Sequence, residues 1–278
     1  MVLYKKWILI SSAVTLLLTI ILFYYFNKNS NSSEVNKQIK IISIIKKKEI
    51  YYTQGLILSN NNKFLIESGG LYGKSTLVNM TFPELGIINK VKLSDKYFGE
   101  GISLCNDKVF QLTWKERKIL KYKNDLSVLE ELDLHPNIKE GWGFAQKDKN
   151  TLLVTDGSNK IHELSCSESG DVEYTSSQIE VKLNGKNIDY LNDLVYVNGF
   201  IYANVYYSNF IVKIQPSNGN IVELHNCTDL LEYEFSSNSI NKDTYLVKGE
   251  VFNGITHYQG NQFLVTGKHW GHYYIIEL

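Results

Sequence analysis

Two series of side chains in this sequence recur at spacings that would let them do chemistry together. Gln54, Glu100, Trp142, Asn192 and Asn253 follow one another at intervals of 46, 42, 50 and 61 residues. Glu67, Trp114, Asp156, Tyr206 and Lys268 trail them by 13 to 15 residues. If both series converge, a carboxylic acid, a lysine, primary amides and aromatic rings gather in one concave place. A carboxyl group among aromatic rings has its pKa raised towards neutrality, where it can take up a proton and return it. A lysine or an amide beside it can stabilise an oxyanion that develops on an attacked carbonyl. Apolar walls carrying a few placed polar groups suit a small molecule or a peptide terminus.

The elements that would position these residues form an internal repeat. Each member of the first series opens a hydrophobic strand, in YTQGLIL, FGEGISL, GWGFAQ, YLNDLVYV and FNGITHY. A glycine follows the key residue in four of the five segments, as Gly55, Gly101, Gly143 and Gly254, and Asp193 takes its place in the other. Second strands follow in KFLIES, KVFQLTW, TLLVTD, FIYANVY and QFLVTGK, and third strands in STLVNM, KILKYK, KIHELS, FIVKIQ and YYIIEL. A period of about 40 to 50 residues with this strand rhythm is that of propeller blades. No blade buries both faces of its small sheet alone, so five must stack around a shared axis, with the innermost strand of each lining the channel. The chain ends on a third strand, while QIKIISII stands unpaired before the first blade, so the N-terminal strand is expected to complete the last blade. The fold expected for residues 38–278 is an all-β, five-bladed β-propeller, with a longer excursion around Leu231 to Asp243.

Residues 1–27 read as an N-terminal signal anchor or transmembrane segment. Lys5 and Lys6 precede Ile8 to Phe26, which carries no charge in nineteen positions and is long enough to span a bilayer. It ends in bulky Phe23, Tyr24, Tyr25 and Phe26 rather than in small cleavage-site residues. Residues 28–37 form a polar linker. The body is expected to be membrane-anchored and lumenal or extracellular, a placement compatible with the sequons at Asn31, Asn79 and Asn226.

With 29 basic and 29 acidic residues, the chain has no electrostatic bias that would recruit nucleic acid. Cys105, Cys166 and Cys227 form no CxxC pair and read as buried or free thiols rather than metal ligands. His269 and His272 lie close in sequence, but an i, i+3 pair in a strand faces opposite ways, which argues against shared metal binding. No metal-ligand set stands out.

The motifs YTQGL, ESGGLYGKS, FGEG, LTW, GWG, TDGS, LND with ANV, NGI and VTGK resemble, in this order from Tyr52 to Lys268, those of the plant and bacterial glutaminyl cyclases. That family is a five-bladed propeller, in agreement with the repeat. The resemblance implies a glutaminyl-peptide cyclotransferase that converts N-terminal glutamine to pyroglutamate and releases ammonia. It implies Glu100 as the proton shuttle and Lys268 as a second catalytic group. Tyr52, Gln54, Trp114, Trp142, Asn192 and Tyr206 fall on substrate-binding positions. Tyr52 and Tyr206 depart from the Phe and Trp usual in relatives, which places substrate preference in question more than the reaction.

Such a cyclisation requires no cofactor, although a structural cation in the central channel is compatible with it. Peptides and proteins with N-terminal glutamine are the expected partners, with the membrane reached through the first segment, and a closed propeller needs no second copy, so a monomer is expected. Two other readings use the same residues. In a metal-dependent lactonase Glu67, Glu100, Asn192 and Asp156 would supply oxygens to a cation. In a binding module the aromatic channel would hold peptide ends without turnover.

Overall fold

The computed structural model describes residues 36–123 and 125–278. The anchor expected at residues 1–27 lies outside them. Among the described residues no helix is long and apolar enough to cross a membrane.

Five sheets stand around one axis. Their innermost strands are Thr53–Leu58, Gly99–Cys105, Phe144–Asp148, Leu191–Val197 and Phe252–Gln259, and each packs beside the next round the ring. In the first four blades the second, third and fourth strands follow outward as an antiparallel meander, which ends in Ile87–Lys92, Val128–Asp133, Val172–Glu180 and Ile221–Asn226. In the fifth, Lys40–Lys46 from the N-terminal end pairs antiparallel with the last strand, His272–Glu277, and sets Lys40 against Glu277 and Ile44 against Tyr274. The expected closure of the ring is therefore present. One further strand, Asn36–Gln38, adds in parallel to the outer edge of the fourth blade, so the N-terminal segment ties two blades together.

Alternation along each strand sends one set of side chains towards each neighbouring blade. The hydrophobic core is accordingly divided among the blade interfaces. Leu77 meets Ile102 and Leu120 between the first and second blades, and Phe110 meets Leu152 and Val154 between the second and third. Leu153 meets Ile201 and Val212 at the next interface. Ile211 packs with Phe252 and Phe263, and Tyr273 with Leu65 and Val78, to complete the circle.

The long interval before the fifth blade contains helix α1, Thr228–Ser236, and a short helix α2, Tyr245–Lys248. Asn226 starts α1 by accepting the backbone N–H and hydroxyl of Thr228. Leu230 and Leu231 then join Trp270 and Tyr274 in the core of the last interface. The excursion was legible as an insertion but not as a helix.

The cysteines require a correction. Cys105, ending the inner strand of the second blade, and Cys166, ending the third strand of the third blade, form a disulfide, and only Cys227 is a free, buried thiol. The two join blade ends that 61 residues separate in the chain, and only the stacking of adjacent blades brings them together.

Candidate functional site

The inner strands share a local irregularity that aims the first series of residues. The ladder to the second strand slips register between Thr53 and Gly55, Gly99 and Ile102, Leu191 and Leu194, and Phe252 and Ile255. Gln54, Glu100, Asn192 and Asn253 thus sit on β-bulges, where the extra residue is left out of the ladder and re-aimed. In the third blade pairing begins at Phe144, which leaves Trp142 just ahead of the strand. Close approach of the backbones explains the glycines that follow. A Cβ on Gly101 would lie 2.5 Å from the carbonyl oxygen of Trp142, and one on Gly143 2.1 Å from that of Asn192. Gly101 N–H in turn donates to Trp142 O at 2.7 Å.

Asp193 stands where the fourth glycine would be. Its buried carboxylate accepts the backbone N–H of Ile255 at 2.8 Å and those of Leu194 and Leu56, and so joins the first, fourth and fifth blades near the axis. Burial pushes its pKa well above the usual carboxylate range, while these bonds and Lys268 pull it back.

Glu100, at 5% exposure, and Lys268, at 3%, are buried at the same mouth. Burial raises the Glu100 pKa well above the usual range; Lys268 opposes this, and Glu140, Glu116 and Asp193 add to it. Burial lowers Lys268 to about 8, against the pull of Glu100 and Asp193. The Lys268 ammonium sits 4.4 Å above the ring centre of Tyr206 and 5.2 Å from that of Tyr52. Lys268 reaches this place because its backbone forms an isolated bridge with Tyr52, one residue past the end of its strand.

An aromatic collar surrounds the pair. Trp142 meets Tyr206 edge to face at 5.6 Å, and Tyr206 leans on Tyr207 at 4.1 Å. On the other side Trp114 meets Phe98 at 5.4 Å, and Phe98 touches Tyr52 and Tyr72. Tyr52 and Tyr206 are hydrogen-bonded to each other through their side chains, and burial raises both their pKa values. Gly249, the left-handed cap of α2, lies against them, since a Cβ there would fall 2.5 Å from the Tyr52 hydroxyl. The excursion thereby closes one flank of the pocket.

The amides divide. Asn253 donates to Thr53 O at 3.0 Å and to Gln54 Oε1 at 3.3 Å, a brace between the fifth and first blades. Asn192 Oδ1 is buried without a partner among the described residues, an acceptor that a ligand N–H would satisfy.

Two residues of the second series lie elsewhere. Glu67 does not reach this mouth: it accepts from Lys47 at 3.2 Å, from Thr53 Oγ1 at 2.5 Å and from the Tyr273 hydroxyl, inside the interface of the first and fifth blades. Thr53 pairs with Gly69 as Gly99 pairs with Thr113 and Leu191 with Val205, so Gly70 is in register with Trp114 and Tyr206, and Glu67 lies three positions short of it, on the opposite face. Gly70 N–H donates to Tyr52 O as Trp114 N–H does to Phe98 O, and Ser68, two residues before Gly70, donates its hydroxyl to Glu100 O. Asp156 lies past the end of its strand in a turn, bound to Ser158 and to His162 Nε2 at 3.1 Å. Burial alone would raise its pKa, but these bonds outweigh it and hold the carboxyl at about 2. The oxygen donors of the lactonase reading therefore fall into separate networks. Among the described residues no group of three or more His, Cys, Asp or Glu is arranged to hold a metal ion.

Sequence reasoning missed Phe98, Tyr207, Glu116 and Glu140. Glu116 accepts from the Tyr72 hydroxyl at 2.7 Å and from Phe98 N–H. Glu140 accepts from both indoles, Trp114 at 2.5 Å and Trp142 at 2.9 Å. Phe98 is the first residue of FGEG and Glu140 directly precedes GWG, and that placement was the available signal.

Comparison with known proteins adds to this geometry. The sequence pattern of the glutamine cyclotransferase family matches residues 15–278. A glutaminyl-peptide cyclotransferase of Arabidopsis thaliana is 31% identical over 245 residues, which span 87% of this chain and 71% of that protein. The crystal structure of Myxococcus xanthus glutaminyl cyclase superposes with a TM-score of 0.73 at 22% identity, covering 88% of this chain and 98% of that one, and so shares the fold.

Proposed function

The chain belongs to the glutamine cyclotransferase family, and on that premise we propose that it closes the N-terminal glutamine of peptides and proteins into pyroglutamate with release of ammonia. The observation that supports this most is the burial of Glu100 and Lys268 at one mouth, under an aromatic collar and without direct contact between them among the described residues.

The substrate's α-nitrogen must lose a proton, attack its own side-chain amide carbon, and expel the amide nitrogen after that nitrogen gains a proton. A free α-amine has a pKa of about 8, so at neutral pH it arrives largely as ammonium. Glu100, whose pKa burial raises well above the usual carboxylate range, takes that proton and returns it to the departing nitrogen. Balanced overall, one C–N bond forms, one breaks, and one ammonia leaves. Lys268 with its pKa of about 8 remains largely cationic at neutral pH and faces the oxyanion of the tetrahedral intermediate. Asn192 Oδ1 receives an N–H of the substrate. Trp114, Trp142, Tyr52 and Tyr206 hold the folded-back side chain as a near-attack conformer, with Gln54 on the floor between the first and fifth blades.

The body is further proposed to be tethered through Ile8 to Phe26 on the lumenal or extracellular side. The disulfide between Cys105 and Cys166 supports an oxidising compartment.

The reading is tested with a short peptide that begins with glutamine. The expected result is a product lighter by about 17 Da with one ammonia per peptide, and no reaction with the same peptide acetylated at its α-nitrogen. Folded protein that releases no ammonia, or that acts on the acetylated peptide, contradicts it.

A further inference from the structure

Glu140 is a carboxylate at this mouth that accepts from two indoles of the aromatic collar at once. Trp114 directly follows the second strand of the second blade and Trp142 leads into the inner strand of the third. Their indole N–H groups converge on the same atom, Glu140 Oε2. The loop that carries Glu140 is itself fixed at three successive points. Lys139 N–H donates to Asp156 Oδ2 at 3.3 Å, Gly141 N–H to Trp114 O at 3.3 Å, and Trp142 N–H to Thr155 O at 3.1 Å. An indole that only fills a core has no need of a shared anionic acceptor, and one that borders an open pocket swings unless its N–H is held.

We propose that Glu140 is a positioning residue that ties the Trp114 and Trp142 indoles into a single rigid clamp on the substrate's N-terminal residue. This rests on the cyclisation reading given above. The same carboxylate acts at longer range on Glu100. The charged and titratable groups that face Glu100 are Lys268 from the fifth blade, Glu116 and Glu140 from the loops of the second and third, Asp193 from the fourth, and the hydroxyls of Tyr52, Tyr72 and Tyr206. Of these Glu140, Glu116 and Asp193 favour the protonated acid and Lys268 the carboxylate. Removal of the Glu140 charge therefore moves Glu100 to lower pH.

The test compares the full chain with Glu140→Ala and Glu140→Gln, using ammonia release from a glutamine-leading peptide across pH and the indole N–H resonances of Trp114 and Trp142. Glu140→Ala is expected to lower kcat about 100-fold with KM changed much less, the size of effect that loosened positioning produces. Glu140→Gln keeps a neutral acceptor and should recover part of that loss. The acid limb of the pH profile should move to lower pH in both variants, and both indole resonances should shift in Glu140→Ala. Unmoved indole resonances overturn the clamp. So does a loss shared equally by both variants with the acid limb in place, which would mark simple damage to the loop. Wild-type protein that releases no ammonia would overturn the cyclisation reading and with it the substrate named here, while the indole resonances would still show whether Glu140 holds the two walls.

Discussion

The molecule buries two Glu–Lys sets within the same few strands and uses them in opposite ways. At the interface of the first and fifth blades, Lys47 and Glu67 meet at 3.2 Å, and the hydroxyls of Thr53 and Tyr273 complete the shell around the carboxylate. At the channel mouth, Glu100 and Lys268 are as deeply buried, but their neighbours are aromatic faces and their influence on each other acts through space. Lys47 donates to Glu67 and Thr53, and although burial lowers its pKa, Glu67 opposes the shift at hydrogen-bond distance. Around Glu100 and Lys268 the desolvation cost is uncompensated by contact, which is the condition that moves a pKa towards the working pH. Burial and residue type are therefore not enough to mark a reactive pair. What separates the two is whether the protein itself has already supplied the partners.

Substitutions sharpen this contrast. The largest effect on stability is expected at the closed pair: Glu67→Gln leaves Lys47 buried without its counter-charge and should cost about 3–5 kcal/mol in a denaturant titration. Turnover per folded molecule should stay within a few-fold of wild type. At the open pair the effect falls on rate: Lys268→Met should lower kcat by about 10²–10³ if Lys268 steadies the oxyanion. The pH profile carries its own sign. Lys268 works as a cation with a pKa of about 8, so activity should fall as pH rises through that value, and this alkaline limb should vanish in the variant. Glu100 works as a carboxylate with a raised pKa, so activity should fall on acidification at a pH above the ordinary carboxylate range. A smaller effect is expected at Asp156, which resembles the closed pair. Its folded pKa of about 2 is depressed, so its contribution is present above the unfolded value and lost as pH falls through the folded one. Asp156→Asn should remove roughly 2 kcal/mol of stability at neutral pH and little at pH 2, as measured by unfolding at both pH values.

Much of this organisation was legible in the sequence because the propeller writes its geometry into a rhythm. The turn residue and the key residue recur once per blade, and the glycine in four of the five, so the register of all five inner strands, and with it the convergence of Gln54, Glu100, Trp142, Asn192 and Asn253, could be read directly. Other features have no local signature. Glu67 looked equivalent to Trp114 and Tyr206, but the ladder sets Gly70 at their position and leaves Glu67 three residues short of it, on the opposite face. Cys105 and Cys166 meet only because two blades stack, and no spacing rule predicts that. Glu140 reads as an ordinary solvated loop residue until both indoles are seen to point at it. The helices of the excursion lay in a polar stretch with weak periodicity, and their role against Tyr52 and Tyr206 depends on where Gly249 ends them.

The most direct test of the contrast is ammonia release from a glutamine-leading peptide by wild type, Glu100→Gln and Glu67→Gln, compared at equal concentrations of folded protein. The account predicts that Glu100→Gln loses about 10²–10⁴ of the rate while Glu67→Gln retains it, since only the first carboxylate exchanges a proton with substrate. Equal losses in both variants, or full turnover by Glu100→Gln, would contradict it.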